Sequence, residues 1–146
     1  MSHVSIWVHA VWGTKNHAPL IRDSIKVSLF QHIRENAVSK SMYINFINGT
    51  HNHVHCLLTL NSDLSISKTI NLIKGESSHW LNQQELIGHK FEWADEFFAA
   101  SVSESRVPYV RKYIKDQEEH HRKVTFEEEY QKFIDELING RNKDEE

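Results

Sequence analysis

The hydrophobic pattern of the chain predicts four strands and two helices in the order β-α-β-β-α-β. Four segments alternate apolar and polar residues or are rich in β-branched and aromatic residues, which is typical of strands. Two further segments repeat apolar residues at helical spacing. The strands are predicted at 4–12, 42–47, 53–60 and 97–103, and the helices from Asp23 to about Lys40 and from Asp63 to Trp80.

Local signals refine these elements. Asp23 and Asp63 are candidate N-caps of the two helices. The inward face of the first helix is predicted to carry Val27, Phe30, Ile33 and Ala37. Asn48-Gly49 is predicted to end the second strand, so that the second and third strands form a hairpin.

Two more helices are predicted after the fourth strand. Ser105 and Pro108 supply a start signal for a helix that reaches about His121. Thr125 and Glu128 form a capping-box pattern that opens the last helix. Its inward residues are predicted to be Tyr130, Phe133, Ile134 and Leu137, and Asn139-Gly140 is predicted to end it.

This order predicts an α+β fold, a ferredoxin-like split β-α-β antiparallel sheet with two appended C-terminal helices. The third strand would be central, with Val54, Cys56, Leu58 and Leu60 packed beneath the first two helices and the alternate residues on the opposite face of the sheet. The chain has 146 residues, enough for one compact domain. Residues 1–140 are predicted to form that domain, and residues 141–146 a disordered tail.

Composition narrows the class of protein. Hydrophobic residues make up 39% and charged residues 25% of the chain, as in an ordinary globular protein. A single cysteine, Cys56, excludes an internal disulfide and is expected in a reducing cytoplasm. The sequence has no apolar run of membrane-spanning length and no signal-peptide pattern at its start. We therefore expect a cytoplasmic protein without a membrane partner.

The net charge of −3 is unevenly distributed. Residues 127–146 contain eight acidic and three basic residues, a local net charge of −5, which leaves +2 for residues 1–126. The acidity therefore belongs to the C-terminal region, where a solvated helix face accounts for it. Net charge neither supports nor excludes a nucleic-acid partner.

Two pairs of side chains carry candidate chemistry. His53 and His55 are two apart on a predicted strand and point to the same face. Tyr113 and Gln117 are four apart on a predicted helix and share a face there. Each residue alone has an ordinary structural explanation, since the chain has eleven histidines and a helical tyrosine is usually packed. Together they provide two imidazoles, an amide oxygen and a phenol, a set suited to metal-assisted attack on a phosphodiester.

Five stretches of the sequence together point to a known family. They are Val11-Trp-Gly-Thr-Lys15, Asn52-His-Val-His-Cys-Leu-Leu58, Phe98-Ala-Ala-Ser-Val-Ser103, Tyr113-Ile-Lys-Asp-Gln-Glu-Glu-His-His-Arg-Lys123 and Phe126-Glu-Glu-Glu-Tyr130. They resemble the single-tyrosine HUH transposases, the transposases of single-stranded-DNA insertion sequences and their REP-associated relatives. The resemblance covers nearly the whole chain, and its motifs fall in the family's order. Family members often have Pro-Asp before the first histidine, where this chain has His51-Asn52; Asn52 can still hydrogen-bond a neighbouring imidazole.

The resemblance implies a role for each residue of the two pairs. It implies that His53 and His55 hold a divalent cation with Gln117 as the third protein ligand, and that Tyr113 is the nucleophile. Such a ligand set leaves positions for phosphate oxygens and water, which suits Mg²⁺ or Mn²⁺. The ion would polarise the scissile phosphate. A phosphotyrosine intermediate would conserve the energy of the phosphodiester, so the strand can be rejoined without ATP.

Other polar residues are assigned by position. His120 and His121 share a face with Gln117 but lie in the last turn of their predicted helix, where capping or phosphate contact is favoured over metal ligation. His51 is interpreted as an exposed turn residue. Cationic residues of the second helix and around Tyr113 are candidate DNA contacts, namely Lys68, Lys74, Arg111, Lys112 and Lys115.

The predicted function is therefore a metal-dependent transposase that cleaves and rejoins single-stranded DNA at hairpin-bearing ends through a 5′-phosphotyrosine intermediate. The resemblance also implies a homodimer in which the tyrosine helix of one subunit can complete the site of the other. The alternatives are an HUH-type replication initiator or relaxase-like nickase, a DNA-binding regulator that has lost cleavage, and a metal-binding domain without a nucleic-acid role. Tyr109 is the only nearby candidate for the second tyrosine that many initiators carry.

Overall fold

The computed structural model describes residues 2–84, 88 and 90–145, with the backbone alone for residues 141–145. The strands are β1 (Trp7–Gly13), β2 (Tyr43–Thr50), β3 (His53–Thr59) and β4 (Phe98–Val102). The helices are α1 (Asp23–Ser39), α2 (Ile66–Gln83), α3 (Val107–Lys115), α4 (Gln117–His120) and α5 (Phe126–Glu145). Within this described part of the chain, no helix combines the length and the apolar character needed to cross a bilayer.

The four strands form one sheet in the order β2-β3-β1-β4, and every neighbouring pair is antiparallel. The helix α1 connects β1 to β2, and α2 connects β3 to β4. This is the ferredoxin-like plan, so the predicted α+β fold is confirmed. β3 is an inner strand, as predicted, because it lies between β1 and β2.

Two strand boundaries differ from the prediction by more than one residue. β1 begins at Trp7 because its pairing with β3 and β4 begins there, and Val4 and Ile6 are 48% and 44% exposed. β2 continues through Asn48-Gly49 to Thr50, and the turn follows at His51-Asn52. A Cβ atom on Gly49 would lie 2.1 Å from the carbonyl oxygen of His53. This glycine therefore serves a close approach between strands rather than the turn itself.

One face of the sheet packs against α1 and α2 and forms the main core. Val54, Cys56 and Leu58 of β3 are buried there, as predicted, whereas Leu60 follows the end of β3 and is only partly buried. Val27 was predicted to face this core but is 74% exposed, whereas Ile25 and Leu29 are buried. Residues that are two apart in sequence lie about 200° apart around the helix axis. Because Ile25 and Leu29 face the core, Val27 therefore points to the outside.

The N-cap of α2 also differs from the prediction. Ser65, not Asp63, accepts a hydrogen bond on its hydroxyl from the backbone N–H of Lys68, at 3.0 Å. The helix therefore begins at Ile66 and runs without a break through Gly75 to Gln83.

The opposite face of the sheet is covered by the C-terminal helices. Two small apolar clusters form there, one against α5 and one against α3. The first contains Val11, Phe98 and Phe126, with Tyr130 and Phe133 packed against it, and the second contains Leu57, Val107 and Ile114. The histidines of β3 lie on this face, between the two clusters.

The helix predicted to reach His121 is interrupted at Asp116. Asp116 has φ −90° and ψ 18° and separates α3 from α4. The side-chain amide of Asn48 on β2 donates hydrogen bonds to the carbonyls of Ile114 and Lys115, at 3.0 and 3.1 Å. Because these carbonyls are engaged by the sheet, the helical hydrogen-bond ladder stops there. The sequence around Asp116 gives no signal for this break, because the side chain that accompanies it, Asn48, lies 68 residues earlier.

The last helix begins as predicted and ends later. The Thr125 hydroxyl accepts from the backbone N–H of Glu128, which is the N-cap bond of the predicted capping box, and donates to the Glu128 carboxylate, at 3.2 and 3.1 Å. Leu137 was predicted to face inward but is 39% exposed. The predicted end at Asn139-Gly140 is also wrong, because α5 continues to Glu145; a single glycine costs a helix about 1 kcal/mol and need not end it. The boundary of the domain at residue 140 stays a prediction, and Glu146 of the predicted tail lies outside the described residues.

Candidate active site

The two predicted histidines form the floor of the site. His53 and His55 alternate with core residues along β3, and both are fully buried, at 0% exposure. Gly13 lies opposite His53 in the neighbouring strand. A Cβ atom on Gly13 would lie 2.6 Å from the ring of Phe126. This glycine therefore leaves room for the Phe126 ring, which stacks on His53 with centroids 4.2 Å apart.

His53 is oriented by the turn that precedes it. Its Nδ1 lies 2.9 Å from Oδ1 of Asn52 and 2.9 Å from the hydroxyl of Thr50. The Asn52 contact was anticipated from the sequence. Because Oδ1 of Asn52 can only accept, the proton of the neutral ring is on Nδ1. The lone pair on Nε2 then points into the site, the orientation that a metal ligand requires.

His55 is oriented by a histidine that sequence reasoning missed. Nε2 of His9 lies 2.8 Å from Nδ1 of His55, and the two rings stack with centroids 5.1 Å apart. His9 lies on β1, on the same sheet face as Val11, which pairs with His55. The strand alternation of β1 was available as a signal, because it places His9 on the histidine face once β1 and β3 are known to be neighbours.

All three of these histidines are held neutral. Burial, with the nearby His55, lowers the pKa of His53 from 6.5 to about 3. Burial and His55 likewise lower the pKa of His9 from 6.5 to about 3. The pKa of His55 is also lowered, chiefly by burial. Neutral imidazole is the form that binds metal, so the floor of the site is ready to ligate at neutral pH.

Gln117 reaches the site from the first residue of α4. It is fully buried, its Oε1 lies 3.1 Å from Nε2 of His53, and its Nε2 donates to the carbonyl of Tyr113 at 3.3 Å. The predicted pairing of Gln117 with Tyr113 on one face therefore holds across the break at Asp116. The structure brings together the three predicted ligands, His53, His55 and Gln117.

Tyr113 lies beside the same group. It is half-buried, its ring centroid lies 5.8 Å from that of His55, and its hydroxyl lies 3.2 Å from Nε2 of His120. The hydroxyl also donates a hydrogen bond to the carboxylate of Glu129. Burial, followed by this hydrogen bond and the charge of Glu129, raises the pKa of Tyr113 above its usual range. The phenol is therefore protonated at neutral pH, and its oxygen has two hydrogen-bonding neighbours, the Glu129 carboxylate and Nε2 of His120.

Glu129 on α5 stands at the centre of the site, and sequence reasoning did not single it out. It is 2% exposed. Its Oε1 lies 3.0 Å from Nε2 of His55 and 3.2 Å from Nε2 of His121. Its Oε2 takes the Tyr113 hydroxyl and lies 3.2 Å from Nε2 of His120. A signal did exist, because the capping box fixes the start of α5 and Glu129 falls between Phe126 and Phe133 on the inward face.

The charge of this buried carboxylate is retained. Burial by itself raises the pKa of Glu129, but hydrogen bonds from His121, His55 and the Tyr113 hydroxyl outweigh it and leave the pKa below its usual range. An unpaired buried carboxylate would cost several kcal/mol. The surrounding donors therefore keep a negative charge next to two fully buried imidazoles.

The side chains of the site are suited to binding a divalent cation. With its proton on Nδ1, His53 presents the Nε2 lone pair to Oε1 of Gln117 at 3.1 Å and to Oε1 of Glu129 at 3.6 Å. These three atoms are all hydrogen-bond acceptors, and none of them carries a proton that it could donate to the others. Ligand atoms of His53, His55, His121 and Glu129 all lie within 4.8 Å of one another. A cation between them would be held by the His53 lone pair, the Gln117 amide oxygen and the Glu129 carboxylate.

The sequence matches the family model of IS200-like transposases over residues 2–117. The chain belongs to this family. Its fold is similar to that of a putative transposase from Deinococcus radiodurans R1, with a TM-score of 0.62 and 19% sequence identity; the match covers 80% of this chain and 93% of that one. It is also similar to the fold of a REP-associated tyrosine transposase bound to a REP hairpin, with a TM-score of 0.61 and 20% sequence identity. That match covers 83% of this chain and 74% of the other. No curated protein sequence matches the chain.

In this IS200-like transposase, two clefts flank the site. One, of about 660 Å³, opens beside Tyr113 and is lined by Lys112, His120 and Lys123 among others. The second, of about 560 Å³, opens on the other side of α4 beside His121, Asn52 and Phe126. His120 therefore faces one cleft and His121 the other. Together the clefts give solvent and a flexible ligand access to the tyrosine and to the edge of the histidine group.

The candidate DNA contacts lie in different places. Lys112 and Lys115 are exposed on α3 beside Tyr113, and the Arg111 guanidinium donates to Oδ1 of Asn45 at 2.9 Å. Lys68 is exposed on α2, across the sheet from Tyr113. Lys74, also on α2, is 8% exposed, and its ammonium lies 3.4 Å from the carbonyl of Glu96. Contact with DNA stays a prediction for all five residues.

His51 lies outside the site of this IS200-like transposase. Its Nε2 lies 3.0 Å from the carboxylate of Asp23, and both side chains are largely exposed. This agrees with its interpretation as a turn residue.

Proposed function

We propose that this chain is a metal-dependent, single-tyrosine transposase that cleaves and rejoins single-stranded DNA through a 5′-phosphotyrosine intermediate at Tyr113. One observation carries the proposal. The Tyr113 hydroxyl and the histidines His53 and His55 meet around one buried carboxylate, Glu129. A tyrosine that served only packing would not place its hydroxyl among so many buried polar groups. Membership of the transposase family agrees with this chemistry.

The residues that would hold a divalent cation, Mg²⁺ or Mn²⁺, are His53, His55 and Gln117. When bound there, the cation would polarise the scissile phosphate and offset the charge that develops during attack. The protein supplies the rest of the environment. Asn52 and His9 fix the two imidazole rings, and Phe126 and Phe133 exclude water from their faces.

Tyr113 would attack the phosphorus as its hydroxyl proton passes to a neighbouring acceptor. Oε2 of Glu129 and Nε2 of His120 are both within hydrogen-bond reach of the phenolic oxygen. The bond from the tyrosine oxygen to phosphorus forms while the phosphorus–O3′ bond breaks, and the released strand takes up a proton as a 3′-hydroxyl. Attack by a 3′-hydroxyl on the phosphotyrosine reverses these steps and rejoins DNA.

We propose hairpin-bearing single-stranded DNA as the substrate. The similar structure of a REP-associated tyrosine transposase bound to a REP hairpin supports this choice. The exposed cation Lys112 lines the same cleft as Tyr113, whereas Lys115 lines a different cleft beside Asn48; both are suited to backbone phosphates. Arg111 next to them, and Lys68 and Lys74 on α2, are further candidate contacts.

We propose that Tyr113 acts within its own chain. The tyrosine and histidine rings lie 5.8 Å apart in a single chain, so a partner subunit is not needed to bring them together. A homodimer and a cytoplasmic location remain predictions from the sequence, whereas the site completed in trans that the resemblance implies is the alternative to this proposal.

A covalent adduct assay tests the proposed function. Single-stranded DNA from the ends of the protein's own element, incubated with protein and Mg²⁺ or Mn²⁺, should form an adduct that survives denaturation. Tyr113→Phe should abolish the adduct and keep DNA binding. Tyr109→Phe is the matched control, because Tyr109 lies on the same helix and is 65% exposed. An adduct that persists in Tyr113→Phe, or that requires Tyr109, would refute the assignment; DNA binding by the wild type without any adduct would favour the regulator.

A further inference from the structure

The carboxylate of Glu129 divides its two oxygens between two groups of partners. Oε1 faces the imidazoles, with Nε2 of His55, His121 and His53 at 3.0, 3.2 and 3.6 Å. Oε2 faces Tyr113 and His120. A buried carboxylate needs compensation for its charge, and three imidazole nitrogens surround one of its oxygens. A cation held between Oε1 and these nitrogens would supply that compensation.

We propose that Glu129 and His121 are additional ligands of the cation, and that the completed site prefers Mn²⁺ or a similar transition-metal ion to Mg²⁺. This inference rests on the metal site of the proposed function and extends it. Glu129 Oε1 and His121 Nε2 join His53 and His55, and Gln117 contributes the neutral oxygen. The resemblance to the family implied only the two strand histidines and Gln117, and the family match itself ends at residue 117.

The spacing of the ligand atoms is close to what one ion requires. Ligands about 2.1 Å from an ion lie about 3.0 to 3.5 Å from one another in octahedral or tetrahedral arrangements. The three distances from Glu129 Oε1 to imidazole nitrogens are 3.0, 3.2 and 3.6 Å, and the whole group of four lies within 4.8 Å. Side-chain movements of about 1 to 2 Å therefore suffice to close the group on an ion.

The chemistry of the set decides the preferred ion. Mg²⁺ prefers oxygen ligands and releases its water reluctantly. Three imidazoles and one carboxylate suit transition-metal ions better, and affinity for such sites rises along the series that starts at Mn²⁺. The carboxylate also offsets half of the charge of a divalent ion inside a buried site. We therefore expect the ion to bind before DNA supplies any phosphate oxygen.

The second oxygen gives Glu129 a further role as a positioning residue. If Oε1 binds the ion while Oε2 holds the Tyr113 hydroxyl, one side chain connects the nucleophile to the metal. The position of α5 then fixes the distance between them, and the capping box of Thr125 and Glu128 fixes the position of α5.

Titration of Mn²⁺ into the ion-free protein without DNA tests this inference. The electron paramagnetic resonance signal of free Mn²⁺ reports binding independently of activity. Glu129→Gln should weaken Mn²⁺ binding by about 10-fold to 100-fold, the range found when groups that support a metal site are lost. Glu128→Gln is the matched control, since Glu128 is exposed on the same helix and glutamine preserves a capping box. Its affinity should equal that of the wild type.

Two further variants make the outcomes distinct. His121→Gln should also weaken binding, and it tests the added ligands even if Glu129→Gln fails to fold, which circular dichroism reveals. If Glu129→Gln and His121→Gln fold and bind Mn²⁺ like the wild type while His55→Ala does not, the inference is overturned and the proposed metal site stands. If the wild type binds no Mn²⁺, both fail. Displacement of Mn²⁺ by equimolar Mg²⁺ would overturn the ion preference.

Discussion

Acidification should destabilise the ion-free protein through its buried histidines. His9 and His53 have pKa values of about 3 in the fold against 6.5 for an ordinary histidine. Between those values the unfolded chain binds more protons than the folded one, so stability falls as the pH falls. The contribution of neutral His9 and His53 to the free energy of unfolding is fully present above pH 6.5 and declines as the pH falls below that value. His55, whose pKa is also lowered, contributes in the same direction.

The magnitude follows from the two pKa values. Between about pH 7 and pH 5 each of His9 and His53 should remove about 2 kcal/mol of unfolding free energy, so the pair removes about 4 kcal/mol. Domains of ordinary stability have about 5 to 15 kcal/mol in total, so the change is large enough to bring the protein near unfolding. Glu129 does not contribute in this window, because its pKa is below 4.5 in the fold and acid affects it only at lower pH.

Urea unfolding at several pH values, in the presence of chelator, measures this effect. His9→Leu should reduce the change between about pH 7 and pH 5 by about 2 kcal/mol, whatever the variant does to stability at neutral pH. His79→Gln is the control, because His79 is exposed on α2, and it should leave the pH dependence unchanged. A wild-type change of less than about 1 kcal/mol would show that the imidazoles are not held neutral and would refute the reasoning.

Four further predictions concern activity. His53→Ala and His55→Ala should each abolish cleavage, and chelator should reproduce their effect in the wild type; undiminished cleavage in chelator would remove the ion from the mechanism. Gln117→Ala should be milder in the same assay, because water can partly replace a neutral amide oxygen; a complete loss would show that Gln117 does more. Cleavage should be confined to single strands, with binding that falls steeply with salt because phosphate contacts dominate; efficient cutting of a relaxed duplex would contradict this. Mixing Tyr113→Phe with His55→Ala subunits should restore no cleavage, and rescue in demonstrated heterodimers would place the tyrosine in trans.

Much of the fold follows from local pattern, and the failures have physical causes. Alternation in β3 correctly placed His53 and His55 on the face opposite Val54, because strand geometry has a period of two. The break at Asp116 was not predictable, because Asn48 causes it from a distant strand. The end of α5 was misplaced because one glycine is a weak signal against several helix-forming neighbours.

The candidate site was predictable only in part. His53, His55, Tyr113 and Gln117 belong to motifs with regular spacing, and the structure brings them together. His9 lies outside the motifs, and Glu129 lies in the family-like stretch 126–130 without a role assigned to it. Their importance depends on strand order and on how α5 crosses the sheet. Glu129 also looked like an ordinary member of an acidic, solvated helix, whereas the capping box turns it inward.

The dependence of the site on α5 has a consequence for the order in which the molecule is assembled. Contact between His55 and Glu129 joins residues 74 apart in sequence, whereas β2 and β3 meet through a two-residue turn. During synthesis the hairpin and its histidines emerge long before the helix that covers them. Until Phe126 and Glu129 arrive, those imidazoles face water, should titrate near 6.5, and have no carboxylate beside them. A chain halted before α5 should therefore keep a sheet and lack a working centre, so that only completed molecules become active on DNA.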